Sequence, residues 1–142
     1  MDRFLGRYST YIYAIFRIVF GFLFFQHGTH KLLGWPPAEE PSEIAGIMII
    51  GVIIMTLGGF MIMIGFFSSI AAFFASGMMA VAYFMVHQPM GPLPINNKGE
   101  LAVMYCFAFL YIASRGSGVW SVDSIFRGSG GSNGGQDGSN ST

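Results

Sequence analysis

The residues able to do chemistry in this chain are few and unevenly placed. Arg17 lies inside an apolar run that His27, His30 and Lys31 close; His87 closes another, and Asn96, Asn97, Lys98 and Glu100 lead into a further one. His27 and Lys31 are four apart and His27 and His30 three apart, so on a continuing helix they share a side. Three imidazoles and a carboxylate are donors that suit transition metals. The same groups suit a quinone carbonyl or a small oxyanion better, with Phe and Met walls holding an apolar tail. Arg17, His27, Lys31, His87 and Glu100 are therefore the candidate ligand-binding residues. No catalytic residue and no metal ligand is assigned, because no nucleophile with a base and no firm metal motif accompanies them. Cys106 is the single cysteine, which excludes an intrachain disulfide and any CxxC motif. Nothing near it would lower a thiol pKa, so it reads as a small core residue.

What must position these groups is a membrane protein. Of the 142 residues 53% are hydrophobic and 10% charged, too little polar surface to cover a water-soluble globule. Hydrocarbon offers no water to backbone amides, so only helices or a closed barrel can cross it, and the long unbroken apolar runs select helices. Seven Lys and Arg balance seven Asp and Glu, which leaves no basic excess for nucleic acid. Windows of about 20 apolar residues predict spans near 8–27, 44–64, 68–87 and 100–115. The expectation is an all-α integral membrane four-helix bundle over 1–127. A Gly, Ser and Asn-rich tail over 128–142 has a composition unable to bury anything. Arg3, Arg7, Arg115 and Arg127 fall on one side and predict both termini cytoplasmic.

The connections carry their own signals. Gly65-Phe66-Phe67 is short enough only to join antiparallel neighbours. Ser42 and Glu43 read as an N-cap and first-turn acid for the second helix. The Pro, Gly and Asn content of 88–99 predicts a turn-rich loop without helix. Ala72, Ser76 and Ala80 at spacing four form a small-residue stripe for close helix packing. Arg17, placed at mid-membrane by these windows, is either a binding or proton-relay charge or a structural donor to carbonyls and hydroxyls, with Thr56 and Ser76 as neutral neighbours at its depth. The many Phe and Met residues read as lipid-facing and interhelical filling.

Three stretches resemble the DoxX family of small four-helix membrane proteins: Arg17-Ile18-Val19-Phe20-Gly21 running on to His27-Gly28-Thr29-His30-Lys31-Leu32; Gly58-Gly59 with Gly65-Phe66-Phe67; and Gly99-Glu100-Leu101 with Gly116-Ser117-Gly118 and Ser121-Val122-Asp123. In that family a Glu usually stands four residues before the second Gly of the Gly-Gly pair, and the following turn often ends Thr-Arg. This chain has Met55 and Ser68-Ser69 there. Counting from the helix ends puts Met55 level with Arg17, so that Glu would be the natural partner of the Arg. Some relatives are similar to a subunit of an archaeal thiosulfate:quinone oxidoreductase. With no catalytic constellation beside it, the expectation is an accessory subunit of an inner-membrane redox or electron-transfer complex, embedded in lipid beside other membrane subunits, with a lipid or quinone pocket on the outer side and no cofactor assigned. A quinone-linked oxidoreductase subunit is the alternative; a small transporter would need a continuous polar path that four short helices scarcely supply.

Overall fold

The computed structural model describes residues 4–35, 37 and 46–129, and among these all regular structure is helical. A 3-10 turn at Gly6–Tyr8 leads into α1, Ser9–Leu33. It is followed by α2, Ile47–Ile64, and α3, Ser68–Met90. A single turn, α4, Pro94–Asn97, precedes α5, Glu100–Arg115, and α6, Val122–Ser129, ends the described chain. The segments Gly6–Leu33, Ile47–Ile64 and Ser68–Met90 are long and apolar enough to cross a membrane. Large apolar side chains such as Leu57, Phe73, Phe84 and Phe107 point outward, while Ala14, Ala72 and Ala75 are fully buried. That arrangement suits lipid, where helices associate through small residues that let backbones approach.

Two contacts set the bundle. Along α1 and α2, a Cβ on Gly21 would lie 2.5 Å from the Met63 nitrogen, one on Gly28 2.5 Å from the Thr56 nitrogen, and one on Gly59 2.5 Å from the Phe25 nitrogen. All three pairs obey one antiparallel register, and at each level the glycine admits no side chain because the facing backbone occupies its space. The second contact is α3 on α5. There Ala72 and Ser76 of the stripe are buried, with Ala80 half-buried. Ser76 donates to the Cys106 carbonyl at 2.8 Å and Ser69 to the Ala113 carbonyl at 2.6 Å.

Several boundaries differ from expectation for local reasons. Helix α1 runs six residues past His27 because polarity on one flank does not stop a helix; Gly34, left-handed at φ 65°, does, its N–H closing on the His30 carbonyl at 3.2 Å. Helix α3 likewise continues through His87 to Met90, and the loop expected to lack helix holds α4. Pro94 opens α4, where a missing N–H costs nothing. Gly128 and Ser129 belong to α6 rather than to the tail. The cap at Ser42 and Glu43 and the tail from 130 onward lie outside the described residues.

The α2–α3 connection is a Schellman turn. Phe66 N–H bonds the Met61 carbonyl at 2.9 Å and Gly65 N–H the Ile62 carbonyl at 3.2 Å, with Gly65 at φ 75°. Phe67 is also left-handed, at φ 45°.

Candidate functional site

Polar side chains gather at the two ends of the bundle. At the end bearing the chain's first described residues and α6, Arg17 is fully buried. One guanidinium nitrogen donates to the Ser117 carbonyl and, at 3.1 Å, to that of Val119; the other donates to Trp120 at 2.6 Å. Tyr13 Oη, one turn earlier, donates to the Gly116 carbonyl at 2.5 Å. These carbonyls lie in the connection that leaves α5 toward α6, so the two α1 side chains tie that connection down just beyond the end of α5. Asp123 completes the arrangement: its Oδ2 accepts from Phe67 N–H at 3.0 Å and Ser117 Oγ at 2.5 Å, and its own N–H bonds the Gly65 carbonyl at 3.1 Å. The Trp120 backbone, left-handed at φ 53°, is held in that strained form by Arg17.

This corrects three expectations about Arg17. Because α1 extends to Leu33, Arg17 is its ninth residue rather than its midpoint. Its partners are neither Thr56, which donates to Val52 within its own helix, nor Ser76, which serves α5. Met55 is not at its level either: the α1–α2 register sets Met55 opposite Thr29, because α1 overhangs the end of α2. The side chain leans toward the α1 N-terminus, as helical side chains do, and reaches the Gly65 turn.

At the opposite end the remaining candidates do not form one cluster. His87 Nδ1 lies 3.1 Å from the Asn97 carbonyl. Buried Asn97 donates to Tyr83 Oη at 3.2 Å and the Gly91 carbonyl at 3.0 Å, and accepts from Gly99 N–H at 2.9 Å. His87 thus helps shape the α3–α5 loop. Glu100, in the first turn of α5, is exposed. His27 sits against the Tyr105 ring, edge-on, with centroids 5.8 Å apart. His27 and Lys31 do share a continuous helix, four residues apart. Among the described residues no group of three His, Cys, Asp or Glu side chains is placed to hold a metal.

Lys31 has a different setting from the others. It lines a half-enclosed groove of about 170 Å³ between α2 and α3 whose other walls are apolar, with Met48, Met55, Met78 and Met85 prominent. The α2 members recur at 48, 51, 52 and 55 and the α3 members at 78, 81, 82 and 85, one face of each helix. Each helix also contains a π turn, Ile54–Gly58 and Tyr83–His87, and these contribute Met55 and Met85 to the lining. Such single-turn widenings often accompany functional sites. Gly51 leaves the floor open: a Cβ there would meet only Met78 Sδ, at 3.7 Å. The groove was missed in the sequence, although the helical spacing of its methionines was a signal that could have found it. Asp123 and Asn97 were missed as anchoring residues for want of any pattern marking their distant partners.

The DoxX family model matches residues 12–88. An uncharacterized protein of Haemophilus influenzae is 36% identical over 128 residues, covering 86% of this chain and 96% of its own length. No solved structure matches. The motif residues that suggested the resemblance are those that build the architecture, Gly21, Gly28 and Gly59 at the α1–α2 contact and Arg17, Gly65, Ser117 and Asp123 around the end of α5. This chain is a membrane protein and belongs to the DoxX family.

Proposed function

We propose that the chain is an accessory transmembrane subunit of a larger inner-membrane redox or electron-transfer complex, contributing packing surface and one lipid- or quinone-sized groove. In this reading α5 is a fourth span, the 1–127 segment is the membrane domain, and both termini are cytoplasmic. Arg7, Arg115 and Arg127 at the end where α1 begins support that orientation. One observation carries the proposal: of the buried polar side chains described, Arg17, Thr29, Ser76, Asn97 and Ser121 each bond the chain's own backbone and Ser117 bonds Asp123, which leaves Ser68 without a hydrogen bond. Side chains committed in this way hold a scaffold together, and the long apolar faces around them are what lipid and neighbouring subunits would cover.

A quinone-linked oxidoreductase subunit is the second reading, favoured by the apolar groove beside Lys31. Gentle detergent extraction of native membranes, purification through this chain and mass spectrometry of what accompanies it separates the two. Stoichiometric redox subunits are the expected result. A lone chain retaining one quinone would replace the accessory reading by the second, and a lone chain without either would end both.

A further inference from the structure

We infer that the groove between α2 and α3 is a binding site for one acyl chain of an anionic glycerophospholipid, whose phosphate is held by Lys31. The inference deepens the groove half of the proposed function and rests on it. The groove opens on the outer surface of the bundle: Met48, Val81 and Met85 along it are exposed. In a membrane its contents therefore come from the bilayer itself. The walls offer dispersion contacts and nothing to hydrogen-bond, and methionine, unbranched and polarizable, moulds to a flexible chain better than branched residues do. A chain, rather than a polar ring, fits that lining.

The lysine decides the headgroup. By the α1–α2 register Lys31 is level with Ile53, about six residues or 9 Å below the start of α2. Its ammonium can rise along the groove wall to the headgroup level while its methylenes cover apolar surface. Among the described residues no carboxylate forms an ion pair with it and no other charged residue lines the groove. A cation at the head of an apolar furrow is complementary to a phosphodiester with an acyl tail.

The test uses the full chain in nanodiscs of equal phosphatidylglycerol and phosphatidylcholine, released into mild detergent and weighed by native mass spectrometry. Wild type is expected to carry one phospholipid with phosphatidylglycerol in excess. Lys31→Gln is expected to lower the phosphatidylglycerol preference about fivefold, the value of one lysine near an anionic headgroup. Gly51→Leu, which the space beside Met78 admits, fills the groove and is expected to abolish retention of either lipid. Gly77→Leu, whose Cβ meets nothing within 4 Å and which does not itself line the groove, is expected to match wild type. Retention that survives Gly51→Leu, or equal preference in wild type and Lys31→Gln, would overturn the inference, as would displacement of the lipid by added ubiquinone irrespective of residue 31. Co-purifying subunits are read in a separate experiment, so loss of the lipid site leaves the accessory reading standing, and the reverse.

Discussion

The two cations of α1 sit fourteen residues apart and live in opposite chemistry. Arg17 has no exposure and donates to three carbonyls of the connection between α5 and α6; Lys31 lines an open apolar groove in which no other described side chain is charged. An Arg suits the first place because its planar fork can serve several oxygens at once, while a Lys suits the second because a compact ammonium on a flexible stem can follow a mobile headgroup. The comparison teaches that an intramembrane charge is not one kind of signal. Where its partners are backbone carbonyls from a distant connection it acts in folding, and where its surroundings are apolar and open to lipid it is available to a ligand.

The sharpest way to break this comparison is Arg17→Met. It leaves the buried Ser117 carbonyl and the part-buried Val119 and Trp120 carbonyls without their donor, and at roughly 1 to 3 kcal/mol for a stranded buried group, less for the two that water can reach, the loss should be about 2 to 3 kcal/mol. Thermal or detergent-induced unfolding of the purified chain measures it. Arg17→Lys should recover only part, since one ammonium cannot reproduce the fork. A variant as stable as wild type would mean that Arg17 does not tie the α5–α6 connection to α1.

Next in size are the glycine contacts. Gly28→Ala places a methyl 2.5 Å from the Thr56 backbone, and helix α2 must move away, at about 1 to 3 kcal/mol. Gly77→Ala, with nothing within 4 Å, is the matched control and should be neutral or slightly stabilising. Unfolding of the pair under the same conditions isolates the α1–α2 contact from helix propensity. Asp123→Asn should be smaller, about 1 kcal/mol, because an amide oxygen can still accept from Phe67 N–H and Ser117 Oγ but without charge. Its signature is local: faster proteolysis or amide exchange in α6 with the rest of the bundle unchanged.

How much of this was legible in the sequence varies with the range of the interaction. The α5 boundaries, the start of α3 and the Gly65-Phe66-Phe67 turn follow from local apolar length and from a glycine where the backbone turns left-handed, and all were read correctly. The end of α1 was placed early because apolar windows weigh His27, His30 and Lys31 as a stop, whereas the stop is the Gly34 conformation. The partners of Arg17 were out of reach, because they are carbonyls about a hundred residues away and carbonyls have no residue type. The level of Met55 was misjudged for a related reason. Counting from helix ends assumes flush ends, while the register is fixed by the glycines in the middle and lets α1 overhang.

The smallest effect is the most informative for the comparison. Lys31→Gln removes a charge from a groove that opens to lipid and breaks no described hydrogen bond or ion pair, so unfolding in neutral detergent should change by less than about 0.5 kcal/mol. The same substitution should alter which lipids travel with the protein. Two cations on one helix, one worth several kcal/mol to the fold and the other almost nothing, would establish the division between them. If Lys31→Gln instead destabilised the chain as much as Arg17→Met, Lys31 would be another internal tie, and the groove would lose the only charged residue that argues for an anionic occupant.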